Sequence, residues 1–349
     1  MRHSDLYKKN MESEIFCVPV MVENFRYILR EKLSTIREYA YEIYRKSSSH
    51  ILLLGSGASL CALHPSKYLL DKRSELNAEL VTGPEFLNRK FIRMTDKNTF
   101  AIIASYTGLT KDTLGAVDLL LERKIPYLAI TRSMNNELAH RSKMILTYDS
   151  KALYTAVVFE LYLLLTSLLR DRGEFEEGDT FLDDLKALPE LVEETGAAAE
   201  SLGKSLAKAL VDEEPIYVIA DGIEWGLGYQ LAYTMIMEYL KREAAFIRSC
   251  EFRHGPMEVI DEGKPTLIFI LGNDESRAHT ESAFEFSKHY GAKVHRVDVR
   301  EIANVQPLLS PIILYPVIQW MILQMATDSG LYLDEYRYMH KVPYRDSLY

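Results

Sequence analysis

The sequence predicts an α/β protein with two tandem, doubly wound parallel sheets joined by helices. Three observations carry that expectation. Short apolar runs alternate with helical patterns, as buried parallel strands and their crossover helices require. The rhythm stops near Asp171 and restarts after Asp212. The two halves then echo each other: Ile51–Gly55 matches Ile216–Ala220, Glu85-Phe86 matches Glu251-Phe252, and Phe100–Ala104 matches Leu267–Leu271. These matches keep one order and lie 165 to 167 residues apart, the signature of a duplicated domain.

Each element has its own warrant. The first 20 residues read as a loose arm. Residues 22–47 place Phe25, Ile28, Leu29, Leu33 and Ile36 at amphipathic helical spacing. Strands are expected at 50–55, 77–82, 100–104, 126–131 and 144–147, with helices at 59–72, 111–123, 135–141 and 152–169. In the second half, strands are expected at 216–220, 244–248, 266–271 and 293–298, and helices at 226–241, 275–290 and 309–327. Between them, Leu182, Leu185, Leu188 and Leu191 give helical spacing within a Glu-, Lys- and Ala-rich segment. The expected organisation is therefore an N-terminal domain at 22–172 with a leading helix, a helical linker at 173–213, a C-terminal domain at 214–330, and a tail at 331–349.

Composition narrows the function classes. A net charge of −9 argues against a protein that coats nucleic acid, which needs a basic face. Cys17, Cys61 and Cys250 form neither a CxxC pair nor a zinc pattern, which suits a reducing, cytoplasmic setting. The N-terminus Met-Arg-His-Ser-Asp-Leu lacks the apolar core of a signal peptide. Two apolar runs, Ala152–Leu169 and Leu308–Met325, are at or below the roughly 20 residues of a membrane span; both are expected as buried helices, of the core or of a subunit interface.

Three constellations carry chemistry. Ser105-Tyr106-Thr107-Gly108-Leu109-Thr110 joins an apolar strand to a helix N-terminus. Hydroxyls, free backbone N–H groups and a positive dipole end converge there, which suits a phosphate. The plain alternative is a turn with Thr110 as N-cap. The matching loop of the second half, Gly272–Ser276, carries Asp274 and Glu275, which would repel an anion. Gly55-Ser56-Gly57-Ala58-Ser59 follows the first strand; Leu60 replaces the last glycine of a dinucleotide fingerprint, although Glu79 stands near the distance of a ribose-binding acid. The better reading is a second loop at the same sheet edge, lending Ser59 and backbone amides to a small ligand. Finally, Glu238 lies near a helix end, and Glu251 precedes His254-Gly255-Pro256, an irregular turn. A carboxylate and an imidazole can handle protons, or can equally be a surface acid and a structural histidine.

These residues resemble the sugar isomerase (SIS) domain proteins over roughly residues 22–349. The resemblance rests on the tandem halves, on Ser-x-Thr-Gly-x-Thr, on Glu-x-x-His-Gly-Pro, on Met237-Glu238 followed sixteen residues later by His254, and on the tail Arg337-Tyr-Met-His-Lys341-Val342. Within the family the chain is most similar to deglycases of fructosamine 6-phosphates. The resemblance implies flavodoxin-like three-layer sandwiches and a sugar phosphate held by Gly57, Ser59, Ser105, Thr107, Gly108 and Thr110, with Thr107 replacing a more usual serine. It implies Glu238 as catalytic carboxylate, His254 as the group assisting at the ring oxygen and often donated by a neighbouring subunit, and Lys341 as a lysine closing over the site. Glu251 is held to be structural.

The implied reaction cleaves a phosphorylated Amadori compound to an aldose 6-phosphate and a free amino acid, with no metal or redox cofactor. The implied partners are a sugar-phosphate substrate and a second copy of the chain, in a homodimer or larger assembly with the site at the subunit interface, without nucleic acid or membrane. Met235 stands where the related glucosamine-6-phosphate synthase has a lysine, and no glutamine-hydrolysing segment precedes residue 22. Hexosamine synthesis from glutamine is thus not expected. Two alternatives stay open: an isomerase or deaminase of amino-sugar phosphates, and a non-catalytic sugar-phosphate sensor. Residues 1–49 are short and weakly basic for a sensor's DNA-binding segment.

Overall fold

The computed structural model describes residues 2–88, 98–339 and 341–342. They fall into two compact units, one built on Val20–Leu191, the other on Val192–Lys341 together with the segment up to Pro19. The chain opens with α1 (His3–Met11), which belongs to the second unit.

The first unit begins with α2 (Val18–Tyr27), a π turn at Ile28–Lys32 and α3 (Leu33–Arg45). The single leading helix expected over 22–47 is thus interrupted. At the interruption Lys32 Nζ donates to Thr147 Oγ1 at 3.1 Å and to Asp149 at 3.3 Å, tertiary bonds that no local spacing announces. There follow β1 (His50–Leu54), α4 (Ala58–Arg73), β2 (Asn77–Val81), α5 (Gly83–Leu87), β3 (Thr99–Ser105), α6 (Lys111–Glu122), β4 (Tyr127–Thr131), α7 (Glu137–Arg141), β5 (Met144–Thr147) and α8 (Leu153–Arg172). The strands are parallel, in the order β2-β1-β3-β4-β5. This is the flavodoxin-like arrangement, whose chain reversal beside β1 and β3 opens a crevice at their carboxyl ends. Leu54 pairs with Ile103, so those two ends lie side by side. Every residue of β3 and β4 is buried, as a parallel sheet covered on both faces demands. Leu52, Leu54, Ala101 and Ile103 pack against Val117 and Leu120 of α6.

α9 (Gly178–Leu210) is one helix of 33 residues, where several shorter linker helices were expected. Pro189 lies inside it, and the division between the units falls two residues later.

The second unit contains β6 (Ile216–Ala220), α10 (Trp225–Tyr229), a π-helical segment Gln230–Tyr239, β7 (Ala244–Arg248), β8 (Thr266–Leu271), α11 (Arg277–His289), β9 (Lys293–Asp298) and α12 (Ser310–Asp328). Its parallel sheet has the order β7-β6-β8-β9. β6 takes the place of β1 and β8 that of β3, as the sequence echo predicts.

The N-terminal segment is not a loose arm. α1 packs on α12. Buried Asn10 donates to Thr327 Oγ1 at 3.1 Å and to the Leu331 carbonyl at 3.0 Å, and accepts from Leu333 N at 3.0 Å. Ser13 Oγ donates to Asp334 at 2.6 Å. The helix is polar and short, so its own sequence gives little reason to form; these distant partners supply it.

α8 and the stretch Pro307–Asp328 are long and apolar enough to cross a membrane, but 89% and 94% of their apolar windows are buried inside the protein, as core helices are. α8 also buries Glu160 completely. Neither of its carboxylate oxygens has a hydrogen-bond partner among the described residues. Burial pushes its pKa up to about 8, opposed by Lys32 and reinforced by Asp149. The folded state therefore holds a proton that the unfolded chain releases near 4.5, so stability falls as pH rises from the unfolded value through about 8. Glu160→Gln should flatten that slope: in thermal melts, the variant gains on the wild type as pH is raised from 5 to 8.5. Parallel pH dependences would contradict it.

Candidate functional site

The 105–110 loop leaves β3 at the carboxyl edge of the first sheet. Ser105 is buried, and its Oγ accepts from Gly108 N at 3.2 Å. Thr107 Oγ1 accepts from Leu109 N at 3.2 Å. Gly108 has φ +64, and a Cβ there would lie 1.9 Å from Asn136 Oδ1. Only glycine fits. Asn136 is fixed in turn: its Nδ2 donates to Thr131 Oγ1 at 3.0 Å, and its Oδ1 accepts from Ala139 N at 3.0 Å. Thr110 occupies the N-cap position of α6, but its side chain makes no cap hydrogen bond. The plain-turn reading assigned that hydroxyl a cap role which it does not perform.

Beside this loop, Gly57 caps α4 with φ 54 and ψ −129, a conformation essentially restricted to glycine. A Cβ at Gly57 would meet nothing within 4 Å, so the space above it is open. Ser59 is buried in the first turn of α4. Two helix N-termini thus present their first amides at one sheet edge. Arg132, at the end of β4, stacks its guanidinium 5.2 Å from the Tyr106 ring centroid, adding a cation that the sequence reading missed. Its only sequence signal is its place just after a strand in the same sheet. Glu79 does not serve as a ribose acid: it pairs in register with Leu52 in mid-strand, 4.0 Å from His50 Nε2.

The equivalent edge of the second sheet is filled from within. Asp274 Oδ2 accepts from Ile223 N at 2.9 Å, and its Oδ1 accepts from Ser276 Oγ at 2.6 Å. Asp221 accepts from Gly222 N at 2.9 Å and Cys250 N at 3.0 Å. Arg277 is held by Asp298 at 2.7 and 2.9 Å. Asp274 therefore does more than repel an anion; its carboxylate takes the place of one.

Glu238 sits at the other end of that sheet. It lies in the last turn of the π segment, which replaces the plain α-helix expected over 226–241. The wide turn is closed by Leu240 N donating to Met235 O at 3.2 Å; such segments recur at functional sites. Lys241 follows in a left-handed conformation, φ 59. The cavity around Glu238, about 480 Å³, is also lined by Glu214, Lys241, Glu243, Tyr336 and Arg337. Burial pushes the Glu238 carboxyl up to about 7. Burial, together with Glu238 and Asp334, pushes the Tyr336 hydroxyl up to about 12. Lys241 is lowered by burial and by Arg337 and Lys341, against the pull of Glu335. Lys241 and Tyr336 were not singled out from sequence; one is hidden by an irregular turn, the other by an irregular tail. Lys341 is exposed at the end of the described tail, and the rest of the expected tail, 343–349, lies outside the described residues with His340.

His254 is exposed on the turn after β7, its N–H donating to Glu251 O at 2.9 Å. Glu251 is exposed as well. Glu238 precedes β7 and His254 follows it, so the length of a five-residue strand, about 16 Å, separates the two ends. The second unit does not bring this pair together.

Residues 43–169 match the SIS domain model, and the second sheet repeats the strand order of the first. The SIS match lies within the first unit. The chain is 29% identical over 324 residues to a fructosamine deglycase from Bacillus subtilis (strain 168), covering 88% of this chain and 97% of that one. It is 26% identical to a fructoselysine 6-phosphate deglycase from Escherichia coli (strain K12), covering 91% of this chain and 93% of the other. A solved structure of a candidate phosphosugar isomerase from Bacillus subtilis superposes with a TM-score of 0.81 at 26% identity, over 89% of this chain and 97% of its own.

The SIS loop at 105–110 owes its shape to one glycine. Gly108→Ala should cost about 1–3 kcal/mol from backbone strain, and more because Asn136 must move. Gly57→Ala, with open space around it, should cost only the strain. Urea unfolding of both variants checks the difference; equal losses would contradict the Asn136 contact.

Proposed function

We propose that the chain is a deglycase of fructosamine 6-phosphates: it cleaves a 1-amino-1-deoxyketose 6-phosphate of an amino acid into an aldose 6-phosphate and the free amino acid. The observation that carries this reading is Glu238, a carboxyl held by burial near pH 7 inside a cavity. A base whose pKa matches the working pH is what abstraction of a carbon-bound proton needs. The deglycase relatives and the SIS match support the substrate class.

In this reading the phosphate rests on the amides and hydroxyls of Gly57, Ser59, Ser105, Thr107, Gly108 and Thr110, and Lys341 closes over the substrate. His254 gives a proton to the ring oxygen as the ring opens. Glu238 takes a proton from C1, and the C1–H electron pair moves to form a C1–C2 enaminol while the C2 oxygen gains a proton. Returning the proton at C2 leaves an imine between C1 and nitrogen. Water adds to that imine, and the C–N bond breaks to release the amino acid. No electrons leave the substrate, so oxidation at C1 and reduction at C2 of the carbon skeleton balance. Because β7 separates Glu238 from His254, the reading draws His254 from a second copy of the chain, in a homodimer or larger assembly.

Glu238→Gln should lower amine release by about 10²–10⁴-fold. For the wild type, kcat/KM should fall as pH drops through about 7, because Glu238 must be ionised. A panel of fructose 6-phosphate, glucosamine 6-phosphate and a fructosamine 6-phosphate, with products identified by mass spectrometry, tests the reaction; turnover of either of the first two alone would replace the deglycase reading by an isomerase or a deaminase. The subunit arrangement has its own test. Mixing inactive Glu238→Gln and His254→Ala proteins should restore activity in the hybrid assemblies, and a mixture that stays inactive while exchanging subunits would place both groups in one chain.

A further inference from the structure

We infer that the cavity beside Glu238 is an α-carboxylate subsite, in which Arg337 and Lys241 grip the amino-acid half of the substrate and select adducts made through an α-nitrogen. This rests on the deglycase reading and deepens it. If Glu238 takes the C1 proton, the nitrogen on C1 must lie in the same cavity. In an α-linked adduct the carboxylate carbon is three bonds from C1, no more than about 4 Å away. An anion must then be accommodated beside a catalytic carboxylate, which is costly unless cations are at hand.

The cavity supplies them. Arg242 is committed to the fold, donating to Ser329 Oγ at 2.8 Å and towards the Leu210 carbonyl at 3.5 Å. Lys241 is not: its ammonium donates to the Tyr239 carbonyl at 3.1 Å, which leaves two of its three hydrogens. Among the described residues Arg337 makes no ion pair, although it lines the cavity. Lys241 feels the attraction of Glu335 and the like charges of Arg337 and Lys341. Two like charges facing a cavity, with a planar fork on one of them, form a receptor for a carboxylate.

The test compares the fructosamine 6-phosphates of alanine, of ethylamine (its decarboxylated counterpart) and of lysine through its ε-nitrogen. Wild type should show a KM for the alanine adduct about tenfold or more below that of the ethylamine adduct, the worth of a charge-assisted hydrogen bond. Arg337→Ala should erase most of that difference, Arg337→Lys should recover part of it, and Lys241→Met should reduce it. Circular dichroism confirms that each variant is folded. Equal wild-type KM values for the alanine and ethylamine adducts, or an Arg337→Ala penalty identical for both, would overturn the subsite and leave the deglycase reading standing. A preference for the ε-lysine adduct over the alanine adduct would also overturn it. Wild type that releases amine from none of the three would sink the deglycase reading itself, and the subsite with it.

Discussion

Helices that follow parallel strands point unpaired N–H groups at the carboxyl edge of the sheet, and something must accept from them. The two sheets of this chain meet that demand in different ways. The first leaves its edge lined with hydroxyls and with glycines that keep the backbone open. The second satisfies its edge internally, with Asp221 and Asp274 as permanent acceptors. Duplication thus produced one open cradle and one sealed one. In the sealed unit the half-buried Glu238 lies at the opposite end of the strands.

The second unit also shows how burial does chemical work. Desolvation raises the Glu238 carboxyl. Tyr336, Arg337 and Met339 of the tail form part of the wall around it. The fully buried Glu224 is raised well above its ordinary value by desolvation and by Asp274. The difference between the two acids is access: Glu224 is sealed beneath the filled loops, whereas Glu238 faces open volume.

Much of this was legible in the sequence. The strands among the described residues follow from apolar runs, and the duplication from three spaced echoes, because a parallel sheet imposes a strong, repetitive pattern. The 105–110 loop was legible because Gly108 and its hydroxyls sit at a strand–helix junction. What was hidden depends on partners far along the chain. α1 has a weak local pattern and forms through Asn10 and its bonds to residues 327–333. The interruption in the leading helix answers to Thr147 and Asp149. The π segment ending at Tyr239 has the composition of an α-helix, and only its closing bond to Met235 betrays it. Lys241, Arg132 and Tyr336 carry no motif; the folded arrangement alone makes them neighbours of the candidate sites.

The bonds from Asn10 and Ser13 to residues 327–334 have a consequence in time. The sheet of the first unit lies within the continuous stretch Val20–Leu191, so it can be completed while the chain is still being made. The other unit joins the segment up to Pro19 to Val192–Lys341. Its helix α1 has partners that emerge 317 to 321 residues later. At ribosomal speeds of about 5–20 residues per second, many seconds pass between the synthesis of that helix and the arrival of the tail that walls the Glu238 cavity. The wall around Glu238 is therefore complete only once residues 336–339 have been made.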